Sequence, residues 1–212
     1  MRARRIPSES MRVSILVFPG VEELDFVGFL EALAVANRVV GRKWFETRLV
    51  GTTKGPIECS GGMKVMPDST ITGSGRQDLI FVPGGGASRV GSASRGGGVD
   101  LASKNRLVLD FLRLAYQRGE YVWSVCTGAL ILGSAGLLKG RRAVTHHSFF
   151  DQLGGQGANV VRARTVTDGR ITTGGGISSS IDVGLELVRK SLGANVARQV
   201  RERMEYQPPR GR

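Results

Sequence analysis

The sequence predicts an α/β fold: a flavodoxin-like three-layer sandwich built around a mainly parallel sheet. Three observations lead to this prediction. Short apolar, β-prone runs alternate with amphipathic helical segments along most of the 212 residues. Several of the strand-like runs are continuously apolar, which is typical of parallel strands buried on both faces. The connections between segments are short, which favours right-handed crossovers between neighbouring strands.

The first two elements are a buried strand and an amphipathic helix. Residues 12–18 form an apolar run that Pro19-Gly20 ends, and residues 26–40 carry apolar side chains at helical spacing. Asp25 precedes this helix, where a capping side chain is expected to stabilise the helix by about 1 kcal/mol. Glu22 and Glu23 are expected to be exposed loop charges.

The rest of the chain continues the alternation of strands and helices. A hairpin is expected around residues 57–67, and it includes Cys59, which we interpret as structural or partly exposed. A second hairpin is expected across residues 159–173, where Thr167-Asp168-Gly169 has turn composition. Residues 91–98 are expected to form a flexible polar loop. The remaining predicted strands are 45–51, 77–82, 121–126 and 142–146, and the remaining predicted helices are 101–117, 127–138, 181–192 and 194–205.

Cys126 stands where an apolar strand turns directly into a helix. The carboxyl ends of strands are where open α/β sheets place their binding crevices. Such a turn also directs the first free N–H groups of the helix at the junction side chain, as in a nucleophile elbow. The helix N-terminus would then lower the thiol pKa below its ordinary value of about 8.5. The alternative is a small buried apolar residue, a common fate of free cysteine. Local sequence leaves both interpretations open.

Composition excludes several classes of protein and site. The length suits one domain, expected at residues 12–206, between a flexible extension (residues 1–11) and a tail (residues 207–212). No apolar run approaches the roughly 20 residues of a membrane span, and no signal peptide is recognisable, so we expect a cytoplasmic protein. Two cysteines and two histidines predict neither a disulfide framework nor a metal site.

The formal net charge of +12 raises the question of a nucleic-acid partner. Residues 1–12 hold four Arg and one Glu, and residues 198–212 hold five Arg and two Glu. Half of the excess charge therefore lies in two ends that are expected to be solvated. No zinc-finger spacing and no aromatic-basic RNA-binding pattern accompanies it, so we expect neither a nucleic-acid nor a membrane partner.

Five motifs together resemble the ThiJ/PfpI superfamily, most closely its isonitrile hydratase (isocyanide hydratase) branch. They are also similar to the ligand-sensing N-terminal domains of some AraC-type regulators. The resemblance covers about residues 12–208 and implies a fold of the class I glutamine amidotransferase-like type. The motifs are residues 18–25 (FPGVEELD), 82–85 (VPGG), 125–129 (VCTGA), 135–146 (AGLLKGRRAVTH) and 173–182 (TGGGISSSID).

The resemblance assigns catalytic roles to three residues. Cys126 matches the family nucleophile and Asp25 the acidic partner that faces it. Thr127 replaces the histidine that follows the cysteine in the protease-like branch. That replacement argues against a peptidase-type Cys–His dyad and matches the hydratase branch.

The resemblance also implies supporting groups and an assembly. Gly84 and Gly85 match the turn whose backbone N–H groups, with the amide of Gly128 or its neighbour Thr127, line an anion-stabilising pocket. His146 is expected to support the catalytic residues without contacting the substrate itself. No cofactor is implied, and many members of the superfamily are homodimers.

Three functions follow as expectations. The first is hydration of an isonitrile, a small neutral organic substrate, to an N-formamide through a covalent thioimidate on Cys126, with Asp25 exchanging the protons. The second is glyoxalase-type aldehyde chemistry on the same thiol. The third is a non-enzymatic redox or ligand sensor, since an accessible thiol of low pKa is readily oxidised. An AraC-type regulator would need a helix-turn-helix module after Glu205, where seven residues remain.

Overall fold

The computed structural model describes residues 9–87 and 97–207. The first eight residues of the predicted N-terminal extension lie outside this range. So do most of the predicted loop at residues 91–98 and the end of the predicted tail. No described helix has the length and hydropathy that a membrane span requires.

Eleven strands and seven helices follow one another in the described residues, with two short 3-10 turns at Ile71–Gly73 and His147–Phe149. The strands are β1 (Met11–Val17), β2 (Phe45–Gly51), β3 (Ile57–Glu58), β4 (Lys64–Val65), β5 (Ser69–Thr70), β6 (Leu79–Val82), β7 (Tyr121–Ser124), β8 (Arg142–Ala143), β9 (Asn159–Val160), β10 (Thr165–Asp168) and β11 (Ile171–Gly174). The helices are α1 (Glu23–Val40), α2 (Gly98–Ala102), α3 (Arg106–Gln117), α4 (Gly128–Ser134), α5 (Phe150–Gly155), α6 (Ser179–Leu192) and α7 (Ala194–Arg203).

The central sheet has seven strands in the order β10-β11-β7-β6-β1-β2-β5. All of its pairs are parallel except β10–β11, the hairpin at one edge. The middle strands are buried, and their large side chains pack against the flanking helices; the rings of Phe29 in α1 and Phe81 in β6, for example, stack with centroids 3.8 Å apart. The mainly parallel flavodoxin-like sheet that the sequence predicts is confirmed.

The start of α1 differs from the prediction. The helix begins at Glu23, so Asp25 lies within its first turn and is not the N-cap residue. Glu22 occupies the cap position without a side-chain capping bond, while its backbone N–H donates to the carbonyl of Gly84 at 3.0 Å. The helix start is thus fixed by contacts to the turn after β6, and the carboxylate of Asp25 is free for another role.

The predicted strand at residues 142–146 is also shorter than expected. Only β8 forms there, and it pairs with β9 in a separate two-stranded sheet. The next residues bond to side chains instead of joining the main sheet: the N–H of Val144 donates to Thr173 Oγ1 at 2.9 Å, and Thr145 Oγ1 donates to the carbonyl of Cys126 at 2.8 Å. Side-chain bonds therefore replace a strand ladder and hold this segment against the end of β7.

Both predicted hairpins form, with one change of partner. β3 pairs antiparallel with β4, and β10 pairs antiparallel with β11 around a turn in which Gly169 has a φ of +61°. Residues 159–160 belong with β8 and not with the second hairpin. The helix predicted at residues 101–117 divides into α2 and α3, because Asn105 caps α3 by accepting a hydrogen bond from the N–H of Leu107 at 3.0 Å.

Candidate active site

Four chain segments converge at the carboxyl edge of the central sheet. Cys126 follows β7, the Gly84–Gly85 turn follows β6, and Gly174 and Gly175 lie at the end of β11. Asp25, in the first turn of α1, reaches the same place from above the sheet. The fold therefore brings the predicted nucleophile and its predicted acidic partner together at the edge where parallel sheets bind ligands.

Cys126 has the backbone of a nucleophile elbow. Its φ is +54°, in the left-handed region that residues other than glycine seldom adopt. The strand-to-helix turn holds it there through three hydrogen bonds: its N–H donates to the carbonyls of Gly175 at 2.7 Å and Gly174 at 3.2 Å, and its carbonyl accepts from Thr145. Strain that the surrounding structure imposes in this way is typical of a functional residue.

Asp25 is a completely buried carboxyl group; among the described residues no cation shifts its pKa, and its Oδ1 has no hydrogen-bond partner. Its Oδ2 accepts a hydrogen bond from the N–H of Gly84 at 2.7 Å, and the carboxyl group also interacts with the thiol of Cys126. Burial, together with the negative charge of Glu22, raises the pKa of Asp25 to about 8, although the hydrogen bonds from Gly84 and Cys126 lower it. A protonated Asp25 is therefore the resting form at neutral pH.

The thiol of Cys126 does not have the low pKa that its position before a helix predicts. Burial, and then the negative charge of Asp25, raise its pKa to about 12, although bonds from Thr127 lower it. The prediction is wrong because a seven-residue helix cannot offset the removal of the sulfur from water. The carboxyl and the thiol are adjacent and cannot both ionise easily, so they titrate as a pair that shares protons.

The glycine turn after β6 is packed directly against this pair. A Cβ atom at Gly84 would lie 2.6 Å from Thr127 Oγ1 and 2.8 Å from Asp25 Oδ2, both closer than real Cβ contacts allow. Glycine is needed here for the close approach of three segments and not for an unusual φ. The turn thus determines how near Asp25 and the residues after Cys126 can come to each other.

The backbone amides predicted to bind an anion are already engaged within the chain. The N–H of Gly84 donates to Asp25, that of Gly85 donates to Thr127 Oγ1 at 3.1 Å, and that of Gly128 donates to the carbonyl of Val125 at 2.9 Å. Thr127 Oγ1 in turn donates to the carbonyl of Gly85 at 2.9 Å. The predicted role of Gly84, Gly85 and Gly128 in binding an anion stays a prediction. The backbone N–H of Thr127, which bonds to the sulfur, is the amide placed next to the reacting atom.

With this geometry established, the chain can be compared with known proteins. A sequence model of the DJ-1/PfpI family matches residues 11–190. The chain belongs to the DJ-1/PfpI family.

Two curated relatives of this DJ-1/PfpI chain are isonitrile hydratase of Pseudomonas putida and the HTH-type transcriptional regulator CdhR of Pseudomonas aeruginosa. The hydratase is 36% identical over 199 residues, which cover 94% of this chain and 80% of the hydratase. The regulator is 31% identical over 190 residues, which cover 88% of this chain and 52% of the regulator. The chain thus spans most of the enzyme but about half of the regulator.

Solved structures agree with this assignment. A THiJ/PfpI family protein from Pseudomonas syringae superposes with a TM-score of 0.83 at 29% identity, covering 97% of this chain and 79% of that protein. Drosophila melanogaster DJ-1beta superposes with a TM-score of 0.79 at 21% identity, covering 94% of this chain and all of that protein, and shows the shared fold. The resemblance stated from the five motifs is confirmed.

His146 of this DJ-1/PfpI chain lies beside the glycine loop that holds Cys126. The side chain is half-buried, and its Nδ1 accepts from the N–H of Ser148 at 3.3 Å. A Cβ at Gly176 would lie 3.3 Å from His146 Cδ2, so the ring packs against the loop after β11. A supporting role for His146 stays a prediction. His147 is exposed, with its ring centroid 4.3 Å from that of His146.

Glu22 and Glu23 are not the exposed loop charges that the sequence predicts, because both are half-buried and Glu23 begins α1. Ser60 Oγ donates to Glu22 Oε2 at 2.9 Å and to Glu23 Oε2 at 3.1 Å, and the N–H of Gly61 donates to Glu23 Oε1 at 2.8 Å. The two carboxylates therefore fix the β3–β4 hairpin loop beside the site. The adjacent pair of acidic residues before a helix is the signal that sequence reasoning undervalued.

The same loop contains the second cysteine. Cys59 is buried in the core, and burial together with the charges of Glu23 and Glu22 raises its pKa to about 11. Its raised pKa involves burial and charge but no side-chain hydrogen bond among the described residues, so Cys59 is a useful control for Cys126. The described residues also contain no group of three or more His, Cys, Asp or Glu side chains arranged to bind a metal ion.

Proposed function

We propose that this protein is a cysteine-dependent isonitrile hydratase, which adds water to R–N≡C and releases the N-formamide R–NH–CHO. The observation that carries the proposal is the Asp25–Cys126 pair, a buried carboxyl of raised pKa against a thiol in a strained elbow. The 36% identity to an isonitrile hydratase over most of both chains supports it.

The chemistry of an isonitrile fits such a pair. The terminal carbon accepts electrons from a soft sulfur nucleophile and then becomes basic, so the reaction needs one nucleophile and one group that moves protons. The substrate carries no charge, and no arginine or lysine within the described residues shifts the pKa of Asp25. A buried, uncharged site therefore suits this class of substrate.

In the first half of the reaction, the elements of S–H add to the terminal carbon. The sulfur of Cys126 forms a bond to that carbon as its proton passes to the carboxylate of Asp25. The same proton then moves from Asp25 to the carbon. The product is a thioimidate, Cys–S–CH=N–R, and Asp25 is again a carboxylate.

In the second half, water replaces the sulfur. A water molecule attacks the thioimidate carbon while Asp25 accepts one of its protons and passes that proton to the nitrogen, which gives Cys–S–CH(OH)–NH–R and returns Asp25 to the carboxylate. Collapse of the tetrahedral intermediate breaks the C–S bond, expels the sulfur and leaves R–NH–CHO. The hydroxyl proton returns to the sulfur through Asp25, so the enzyme regains its starting state. The backbone N–H of Thr127, which bonds to the sulfur, stabilises the negative charge on the sulfur as the C–S bond breaks.

This scheme predicts the pH dependence of turnover. The competent state holds one proton between Asp25 and Cys126, and it forms as the pH rises through the pKa of Asp25, about 8. The second proton leaves only near pH 12, the raised pKa of Cys126. We therefore expect kcat/KM for isonitrile hydration to rise between pH 7 and 9 and to stay high above that range.

The decisive experiment compares isonitrile and methylglyoxal consumption by the wild type, Cys126→Ala and Cys59→Ala. We expect isonitrile turnover in the wild type and Cys59→Ala, and a loss of at least about 10³-fold in Cys126→Ala, because Cys126 is the thiol that bonds to Asp25. A thioimidate adduct on Cys126, trapped by acid quench and located by mass spectrometry, would identify the intermediate. Wild-type turnover by Cys126→Ala would contradict the covalent scheme. Consumption of the aldehyde alone would select glyoxalase-type chemistry instead.

Two further expectations accompany this proposal. A homodimer stays a prediction of the family resemblance, and a cytoplasmic location stays a prediction of the sequence composition. The 31% identity to half of a transcriptional regulator supports ligand sensing as the second candidate function. A ligand that raises the melting temperature of Cys126→Ala and is not consumed by the wild type would favour it.

A further inference from the structure

A second polar cluster lies at the sheet edge, outside the reacting pair. We name it the Arg164 cluster; it consists of Arg164 before β10, Ser178 and Asp182 at the start of α6, and Tyr206 after α7. Arg164 donates to Asp182 Oδ2 through Nε at 2.9 Å and also through Nη2, and to Ser178 Oγ through Nη1 at 3.2 Å. The Tyr206 hydroxyl donates to the same Asp182 oxygen at 2.9 Å.

The cluster is more organised than an ordinary surface ion pair. The Asp182 side chain is only 14% exposed, and Tyr206 is half-buried. Burial lowers the pKa of Arg164, but its bonds to Asp182 and the charge of Asp182 outweigh burial and raise it. Burial and the charge of Asp182 raise the pKa of Tyr206. Arg164 therefore stays a cation and Tyr206 a donor across the working pH range.

One branch leads from the cluster to the nucleophile. The carbonyl of Arg164 accepts a hydrogen bond from the N–H of Gly175 at 2.9 Å, and the carbonyl of Gly175 accepts from the N–H of Cys126 at 2.7 Å. A Cβ at Gly174 would lie 2.6 Å from Val183 Cγ2 of α6, so the glycine loop is also pressed against this helix. The strained φ of Cys126 thus depends on a loop that Arg164 and α6 hold in place.

A second branch leads from the same helix turn to the acid. Ser180, two residues before Asp182 in α6, donates through Oγ to the carbonyl of Leu24 at 2.9 Å. Leu24 directly precedes Asp25 in α1. The start of α6 therefore contacts both segments that carry the reacting groups, and the Arg164 cluster fixes that start relative to β10.

From these contacts we propose that Arg164, Asp182 and Tyr206 are positioning residues, which set the distance and solvent exclusion between Cys126 and Asp25 without touching substrate. This inference rests on the proposed function for its kinetic test only. If the cluster is loosened, the glycine loop gains freedom and water reaches the sulfur. The thiol then becomes more reactive toward a small reagent while it becomes a poorer catalyst.

The test uses Tyr206→Phe and Asp182→Asn, with Glu186→Gln as the matched control. Glu186 lies one turn further along α6 and pairs with Arg189 and Lys190, so it offers the same kind of ion pair without a link to Gly175. The measurements are kcat and KM for an isonitrile, and the pH dependence of Cys126 alkylation by iodoacetamide in a Cys59→Ala background. Tyr206→Phe removes a single hydroxyl and so keeps the test informative if Asp182→Asn folds poorly.

We expect Asp182→Asn to lose about tenfold in kcat with KM changed by less than about twofold, because a small displacement of reacting groups is costly. The alkylation midpoint should move toward lower pH, and Tyr206→Phe should shift both quantities in the same directions by less. Values for Asp182→Asn and Tyr206→Phe that match those of Glu186→Gln would overturn the proposal. Should the wild type fail to hydrate isonitriles, the proposed function falls, and the alkylation profiles still decide the positioning role.

Discussion

Buried carboxyl groups lie near both ends of strands β6 and β7. At one end they are paired with arginines, and at the other end no cation of the described residues is paired with the carboxyl. Before the strands begin, Asp78 lies 3.7 Å from Arg12 Nε, and Glu120 lies 3.9 Å from the Nε atom of Arg76 and 4.0 Å from that of Arg118. Beyond the ends of the same strands, Asp25 is as deeply buried, but no cation among the described residues shifts its pKa.

The difference separates a structural carboxylate from a reactive one. Asp78 and Glu120 each have an arginine within 4 Å, and these ion pairs join neighbouring loops to the sheet. Without such a cation, burial raises the pKa of Asp25 to about 8, so that its carboxylate can accept the proton of Cys126. The backbone shows the same contrast, because the positive φ of Cys126 occurs at the reactive end. Burial alone therefore does not identify the site; burial without a neutralising partner does.

The largest effect is expected for Asp25→Asn. The amide keeps the size of the carboxyl and can still accept from the N–H of Gly84, but it cannot exchange a proton with the sulfur or with water. We expect kcat for isonitrile hydration to fall about 10²–10⁴-fold, the usual contribution of a positioned acid–base group. Steady-state kinetics between pH 6 and 10 measure the loss. A variant that retains more than a tenth of wild-type kcat would remove Asp25 from the mechanism.

The same variant should gain stability as its activity disappears. The folded-state pKa of Asp25 lies above the ordinary value of 3.8, so its contribution to stability is full below about pH 4 and is lost as the pH rises to about 8. Because each pKa unit is worth about 1.4 kcal/mol, removing the titration should raise the free energy of unfolding at pH 8 relative to pH 4 by roughly 5 kcal/mol. Urea unfolding at the two pH values measures the difference.

Glu120→Gln is the matched control from the other end of the strands. It exchanges an equally buried carboxylate for an amide, but here two arginines lose their partner. We expect kcat within about twofold of the wild type and a loss of about 1–2 kcal/mol in the free energy of unfolding. If Glu120→Gln and Asp25→Asn had the same profile of activity and stability, the distinction between the two ends would be wrong.

A smaller loss of activity is expected for Gly84→Ala, which separates Asp25 from the residues after Cys126 without changing any reacting group. The added methyl group would meet Thr127 Oγ1 at 2.6 Å and Asp25 Oδ2 at 2.8 Å, so one segment must move. We expect kcat to fall about 10²-fold. Gly55→Ala, which adds the same methyl group where nothing lies within 4 Å, should leave kcat unchanged. Equal kinetics for the two alanine variants would show that the close packing of the turn is unimportant.

The sequence predicted the parts of the molecule that local patterns determine. The alternation of apolar runs and helices predicted the sheet, and the strand that stops at Cys126 predicted the elbow. The five-motif resemblance supplied Asp25, whose local pattern suggested a helix cap instead. The cap interpretation failed because Gly84, 59 residues away, binds the carboxyl, and a contact of that kind leaves no local signal.

Electrostatics were the least predictable part of the site. Proximity to a helix start suggested a low thiol pKa, whereas burial and Asp25 raise it; the sign depends on solvent exclusion that only the packed fold reveals. The roles of Glu22 and Glu23 were missed for the same reason, since their partners come from the β3–β4 hairpin. The glycine amides matched their motif, but the fold uses their hydrogen bonds internally.

The smallest expected effect is that of Glu22, whose negative charge acts on both Asp25 and Cys126. Its negative charge raises the pKa values of Asp25 and Cys126, so Glu22→Gln should lower both. Because the competent state forms as the pH rises through the pKa of Asp25, the acid limb of kcat/KM should move to lower pH by less than about one unit. The shift should shrink in high salt, which screens a partly exposed charge.

Ser60→Ala is the control that separates the charge of Glu22 from its position. It removes the hydroxyl that donates to Glu22 Oε2 and leaves the carboxylate in place. We expect its acid limb to coincide with that of the wild type at both low and high salt. If Ser60→Ala moved the limb as far as Glu22→Gln does, Glu22 would act by holding the hairpin loop in place. The reactive end would then owe the high pKa of Asp25 to burial alone, and its contrast with the arginine-paired end would be sharper still.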